Sequence, residues 1–408
     1  MTLTRRTPIA RLSAVGLGLS LLALTAQAQT SPWSIGLNQR FEHQSNVFQA
    51  AAGASDTVST TSLVGGLDLP VGRQRFFARA SFGHVRYGDQ SQLNHDGYSL
   101  AMGVNWETAG NLSGSVSFDS SRTLAKFTPA GLNSVSSNNL TKTDGGRVTV
   151  RLGAITRLTF EAGAAVRRTR FDNPNYISRN VDINEISGGV RYRPEGALVL
   201  GLGLRATRGE YPNLRKPQTG GFRSEGFNKD NIDLTAEWPI SGASRLDGRL
   251  SIGKDRYDTL AARDFSGVTG EVNWRWQPTG RSALTTSFTR RSGDDTGLAL
   301  GPGLIPYATA ANQVSNTLSV TGEYDLTGKI KARGGVSYTD GTFVNLLAAA
   351  GTGTGSEKVS ALTLGLAWEA SRAIRAGCDF STRSRSVKTG AGGFDSNTFG
   401  CFGEFVLR

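Results

Sequence analysis

The chain has 408 residues, 38% of them hydrophobic, with 52 glycines, two cysteines, three histidines and a formal net charge of +12. Two cysteines cannot build a disulfide framework or a four-cysteine zinc site, and His43, His84 and His95 show no metal-ligand spacing. The basic residues are dispersed, with no charge block, so nucleic acid is not an expected partner; nor is any cofactor.

Residues 1–28 contain Arg5, Arg6 and Arg11, an apolar run over 12–24, and Ala26-Gln27-Ala28 as a small-residue cleavage site, the pattern of a Sec-type signal peptide. The apolar run is short of the ~20 residues that a spanning helix needs. The expected organisation is an export segment over 1–28 and one body over 29–408, because no composition break or Pro-rich linker divides the remainder.

From Trp33 onward the apolar residues recur with period two, which predicts strands. Trp33, Ile35, Leu37 and Phe41 share one phase; Leu63, Leu67 and Leu69 follow, and Pro70-Val71-Gly72 turns into Phe76, Ala78, Ala80 and Phe82. Tyr98, Leu100, Met102 and Val104 precede Val116 and Phe118; Val148 and Val150 precede Leu158, Phe160 and Val166. Ile186 and Val190 lead through a Pro-Glu-Gly turn to Leu200, Leu202 and Leu204, and Ile232 and Leu234 lead to Leu246, Leu250 and Ile252. Val268, Gly270, Val272, Trp274 and Trp276 alternate with Thr269, Glu271, Asn273 and Arg275, and Gln277-Pro278-Thr279-Gly280 returns the chain through Leu284, Thr286 and Phe288. Leu318, Val320, Ile330 and Val336 form the next pair; Leu362, Leu364, Leu366, Ile374, Ala376, Phe380, Phe399, Phe405 and Leu407 complete the pattern.

The count is about eighteen segments, with sixteen as the alternative, each near the length that crosses a bilayer when tilted. Links after even-numbered segments are short; those after odd-numbered ones, at 44–57, 122–145, 209–227, 292–311 and 340–357, are longer and polar or Gly-rich. That parity predicts an all-β, transmembrane, antiparallel up-and-down barrel in an outer membrane, closed because hydrocarbon offers no partner to an open sheet edge. Trp106, Tyr192, Trp238, Trp276, Tyr324 and Trp368 lie on the apolar phase just before short turns and are expected to form an aromatic girdle at the periplasmic interface. Outer-membrane lipid is one expected partner. The barrel-assembly machinery is another, although the chain ends Phe405-Val406-Leu407-Arg408 rather than on an aromatic residue.

The opposite phase carries Arg75, Arg79, Arg151, Arg167, Arg191, Arg205, Arg249, Arg275, Arg333 and Arg375, interspersed with acids such as Glu107, Asp119, Glu161, Asp233 and Glu323. A lumen lined in this way is mildly cationic and attracts small anions or an anionic polysaccharide. Cys378 and Cys401 are symmetric about a turn centred between Thr389 and Gly390; they either pair or remain free thiols facing lipid. No catalytic residue is expected. His84, His95, Asp89 and Asp96 flank one loop, but no nucleophile accompanies them. The Gly-rich stretch 351–356 lacks the lysine of a phosphate-binding loop and reads as linker.

Five short segments, FEHQSNVF at 41–48, LDLPVGRQRF at 67–76, EYP at 210–212, RDFSG at 263–267 and WQPTG at 276–280, resemble the EpsL-like family of β-barrel porins encoded with exopolysaccharide biosynthesis operons. The resemblance implies an outer-membrane component of polysaccharide secretion and transfers no catalytic residue. The expectation from the sequence is therefore a barrel for exopolysaccharide passage. Its rivals are a general, weakly anion-selective porin for small solutes and a non-transporting barrel whose surface loops bind a partner.

Overall fold

The structure, a computed structural model, describes residues 31–125, 138–153, 156–194, 196–215, 222–259, 261–300, 306–345, 353–388 and 393–408. The expected signal peptide lies outside these residues. Among them the chain forms β1 (Trp33–Gln44), β2 (Asp56–Val71), β3 (Gln74–Tyr87), β4 (His95–Glu107), β5 (Leu112–Leu124), β6 (Leu140–Leu152), β7 (Leu158–Phe171), β8 (Val181–Tyr192) and β9 (Val199–Arg215). It continues as β10 (Phe222–Ser241), β11 (Ser244–Tyr257), β12 (Phe265–Thr279), β13 (Ser282–Leu300), β14 (Pro306–Asp325), β15 (Ile330–Asn345), β16 (Gly353–Glu369), β17 (Ile374–Val387) and β18 (Phe394–Leu407).

Each strand pairs antiparallel with its sequence neighbours, and β1 pairs with β18 from Ile35 opposite Leu407 to Gln44 opposite Thr398, so the 18-stranded sheet closes on itself. Closure leaves no backbone edge for lipid to solvate. The parity expected from the sequence holds. Gly72 and Arg73 alone join β2 to β3, with Val71 opposite Gln74 and Gly72 at φ +61°, a left-handed conformation that glycine adopts without penalty. The opposite end carries the longer connections, three of them containing 3-10 turns at Ser91–Leu93, Pro174–Arg179 and Ala261–Arg263.

Three segments expected as loops are largely strand. The stretch 209–227 belongs mainly to β9 and β10, 292–311 to β13 and β14, and 340–357 to β15 and β16. Leu300 is still opposite Pro306, and Asn345 opposite Gly353. Polar, Gly-rich composition marks where these ribbons leave lipid, not where their ladders stop. Of the Gly-rich stretch, Gly353 to Ser356 are strand residues of β16, and 351–352 fall outside the described residues.

The outward face of the barrel is greasy: Leu204 and Ile186 are each 66% exposed, Leu202 is 57% and Val166 54%. So much accessible apolar area over every strand is stable only against acyl chains. Beyond this belt, on the side of the long connections, the apolar phase changes sides. Tyr211, Leu214, Phe227 and Tyr257 are buried together with Val181 and Ile183 packed against them, whereas Arg208, Asn228 and Arg256 on the alternate positions are exposed. A second cluster of Val47, Phe48 and Leu93 packs against Tyr87. Above the lipid, water meets the outside and the ribbons make small cores of their own.

At the end with short turns, Tyr192, Trp238, Trp276, Tyr324 and Trp368 are exposed on the outer phase, Trp276 least at 39%. Trp274 stacks on Trp276 with ring centroids 5.6 Å apart and planes 9° from parallel, and its Nε1 donates to Ser244 Oγ at 2.9 Å. Trp106 is partly covered because its ring lies over Gly114, the residue opposite it on β5. A Cβ at 114 would stand 2.6 Å from Trp106 Cζ2 and 2.3 Å from the Thr149 carbonyl oxygen. Gly114→Val is therefore expected to destabilise the barrel by about 1–3 kcal/mol through overpacking, read as a lower unfolding midpoint in urea by heat-modifiable gel migration. An unchanged midpoint would show that the contact is not structural.

Candidate functional site in the lumen wall

The ten arginines singled out in the sequence sit on the phase opposite the exposed apolar belt, and the structure separates them into two groups. Six make ion pairs: Arg75 with Asp68 at 2.5 Å, Arg151 with Glu161 at 2.5 Å, Arg191 with Glu237, Arg205 with Asp233 at 2.8 Å, Arg333 with Glu323 at 2.9 Å, and Arg375 with Glu404 at 2.5 Å. Arg79, Arg167, Arg249 and Arg275 make none within 4.0 Å among the described residues.

The pairs link into ladders across strands. Arg151 on β6 holds Glu161 on β7; Arg191 on β8 lies 3.8 Å from the same carboxylate and also reaches Glu237 on β10; Arg245 on β11 lies 3.6 Å from Glu237 and 2.9 Å from Asp247. Arg205 donates to Asp233 and approaches Glu185 at 3.6 Å, while Ser251 Oγ donates to Asp233 at 2.6 Å. Two spans pass over glycine. Arg40 donates to Asp379 at 2.7 and 2.9 Å from two strands away, and a Cβ on the intervening Gly400 would meet Arg40 Nη2 at 2.9 Å. Arg191 crosses β9 beside Gly201, where a Cβ would lie 3.6 Å from its Cγ.

Arg167 and Arg249 face one recess of about 410 Å³ in the β5 to β13 wall, whose lining includes seven basic and four acidic residues. Three of its acids are engaged: Glu185 lies 3.4 Å from Arg147, Asp255 3.2 Å from Lys229, and Glu271 3.6 Å from Arg291. Asp119 sits two strands from Arg167, across Gly145, and pairs with no cation within 4.0 Å among the described residues. The wall thus presents two guanidiniums without an ion pair beside neutralised pairs, Arg249 standing opposite Glu271 in register. Arg147, Lys229 and Arg291 were not singled out in the sequence, nor was Arg40. Strand parity places all four on the inward phase and was the signal that could have found them.

At the mouth, β14 touches β9 and the turns Pro174–Arg179 and Ala261–Arg263, although four strands lie between β9 and β14 in the sheet. The β13–β14 ribbon therefore leans across the opening above the recess. On the opposite rim, buried Asp56 accepts the backbone N–H groups of Thr57, Gly88, Asp89 and Gln90 at 2.6–3.0 Å and orders the start of the β3–β4 connection. Burial by itself would raise the Asp56 pKa, but the four donors outweigh it and hold the carboxyl below its ordinary value. With the folded pKa lowered, the stabilisation is present above the unfolded value of ~4 and is lost as pH falls through the folded value. Backbone exchange over 88–94 is expected to accelerate selectively as pH drops below ~4, after correction for the intrinsic rate, and Asp56→Asn should remove that pH dependence; an identical profile in the variant would rule out this cap.

His84 Nδ1 is 2.5 Å from Asp96 Oδ1 and its Nε2 accepts from Arg86 Nε at 2.8 Å, while His95 Nδ1 is engaged with the Leu93 carbonyl at 2.8 Å. Both imidazole nitrogens of His84 are thus occupied. Among the described residues no group of three His, Cys, Asp or Glu side chains is placed to hold a metal. Cys378 and Cys401, directly opposite each other on β17 and β18 on the lipid-facing phase, are joined by a disulfide with Cα atoms 4.0 Å apart.

No family model matches the chain, and no curated protein matches it. Among solved structures, OccK2 (OpdF) of Pseudomonas aeruginosa superposes with a TM-score of 0.50 at 16% identity, covering 92% of this chain and 98% of that one. The same porin in complex with glucuronate gives a TM-score of 0.50 at 17% identity over the same spans. OccAB3 of Acinetobacter baumannii gives 0.45 at 12%, over 93% of this chain and 100% of that one. The closed sheet and the two OccK2 likenesses define the class by fold: an 18-stranded barrel of the outer-membrane porin type.

They also correct the resemblance to the EpsL-like family. No model of any family matches, and the structural neighbours are Occ-type porins, not an EpsL-like exopolysaccharide family. Of the five segments that carried the resemblance, 67–76 contains the two-residue turn from β2 to β3, 276–280 leads into the turn from β12 to β13, 41–48 spans the end of β1, 263–267 leads into β12 and 210–212 lies within β9. Similar turns in unrelated barrels arrive at similar residues. The exopolysaccharide role falls with the resemblance.

Proposed function

We propose that the chain is an outer-membrane porin passing small solutes, with a preference for anions. The observation that carries this reading is the pair of ion-pair-free arginines, Arg167 and Arg249, facing one recess in the wall of a closed barrel. A guanidinium that already holds a carboxylate has little field left for a passing solute. One without an ion pair, in a water-filled bore bounded by low-dielectric walls, raises the local anion concentration. OccK2, whose barrel this one matches in strand plan, has been crystallised with glucuronate. A small carboxylate of that kind suits two guanidiniums, each able to donate a fork of N–H groups.

In planar bilayers under a KCl gradient, the wild-type channel is expected to give a zero-current potential of the sign that reports anion preference. Arg167→Glu with Arg249→Glu should move it toward or past zero. The preference should weaken between 0.1 and 1 M salt, as the screening length falls from about 10 to about 3 Å. A cation-selective wild type, or a double variant with unaltered potential, would remove the proposal.

A further inference from the structure

The exterior of the barrel carries a feature that solute passage does not use. Across β8 to β12 the outward residues fall into rows set by the strand register. One row is apolar, with Leu204 opposite Ile232, Ile232 opposite Ile252 and Ile252 opposite Val268. The next row is short and polar: Ala206 opposite Asp230, Asp230 opposite Lys254, Lys254 opposite Ser266. The step between long and short side chains leaves a groove of about 820 Å³. Lys254 and Arg256 line its upper end and are exposed, and Arg208, opposite Asn228, stands beside them.

Depth fixes what these groups meet. Leu246 lies opposite Trp238 and Trp274, at the girdle end of β11. Ten residues of tilted strand separate Leu246 from Arg256, about 25 Å along the membrane normal, the height of a barrel's apolar band. Lys254 and Arg256 therefore sit at the headgroup level of the leaflet away from the girdle, with the groove running down into the acyl region. None of Arg208, Lys254 and Arg256 makes an ion pair within 4.0 Å among the described residues; Asp230 stands opposite Lys254, and Glu210 and Asp258 stand two residues above Arg208 and Arg256 on their own strands.

We propose that this groove binds a phosphorylated glycolipid, with an acyl chain along Leu204, Ile232 and Ile252 and phosphate on Lys254 and Arg256. The three cations over two rows suit more than one phosphate, and Asp230, Asn228 and Ser266 between them offer hydrogen-bond partners to sugar hydroxyls. A lipid with a single phosphate and no sugar would leave most of these groups unanswered.

The test is native mass spectrometry of the detergent-purified barrel titrated with diphosphorylated lipid A, the same lipid with both phosphates removed, and phosphatidylglycerol. The wild type is expected to retain diphosphorylated lipid A most strongly. Lys254→Ala with Arg256→Ala should weaken that retention about thirtyfold, each cation at a charged membrane surface contributing a factor of about five. Ala206→Trp, which fills the groove and keeps both cations, should weaken it as well, and Lys329→Ala at the far end should not. Heat-modifiable migration confirms that each variant is folded. Equal retention of the dephosphorylated lipid or of phosphatidylglycerol, or wild-type retention by both groove variants, would overturn the proposal.

Discussion

Every feature of this barrel follows from one constraint: within hydrocarbon, a backbone N–H or C=O without a partner costs several kcal/mol. The ladder must therefore close, and β1 meets β18 along ten residue pairs. Closure with antiparallel neighbours requires an even strand number and puts all links of one parity at the same end. It also fixes the two faces, because successive side chains on a closed ribbon can point only to lipid or to the bore. Once closure is given, the choice between Leu and Arg at a position is a choice of solvent.

The same ladder continues past the lipid, and there its logic reverses. On β9, Leu200, Leu202 and Leu204 point out and Arg205 points in; a few residues on, Arg208 points out and Tyr211 is buried. The period has not changed, only the side that water occupies. Outside the membrane the ribbons no longer have acyl chains to cover an apolar face, so aromatic side chains turn inward and pack on each other, as Phe227 does between Tyr211 and Tyr257 with centroids 5.6 and 5.4 Å away. Arg263 lies between the latter two rings, its guanidinium carbon 5.3 and 5.4 Å from their centroids. These clusters hold the extended ribbons upright at the mouth where the lumen opens.

This reversal explains what could be read from the chain and what could not. Strand number, closure and the lipid-facing residues were legible, because alternation over ten residues with short turns at every second link has no other economical explanation. The strands' upper halves were taken for loops because their composition, rich in Gly, Asn and Asp, is that of solvated segments, while pairing at positions such as Glu225 with Tyr211 leaves no local trace. The resemblance to a polysaccharide-secretion family rested on five short segments, two of them at the tight turns whose backbone geometry is common to barrels. The arginine set was visible as a set, but which members are committed depends on the strand register: Arg75, Arg151, Arg205, Arg333 and Arg375 each hold a carboxylate on the adjacent strand, and Arg191 reaches Glu237 two strands away.

Where a pair reaches past the adjacent strand, the residue between the partners also matters. Arg40 reaches Asp379 two strands away over Gly400, where a Cβ would stand 2.9 Å from its Nη2; Arg191 passes Gly201, where a Cβ would make only ordinary contact with it, and Arg147 reaches Glu185 over Ala165 at 3.4 Å. Gly145 stands in the same relation to Arg167, between it and Asp119, yet no ion pair forms within 4.0 Å. The Gly145 position is instead crowded by Asp119, whose Oδ1 would lie 2.6 Å from a Cβ there. A cleared path is thus not sufficient for pairing, and the carboxylate that leans over the glycine from one side leaves the arginine on the other side turned to the bore. The electrostatics of the lumen depends less on how many arginines face inward than on which of them the neighbouring strands leave unanswered.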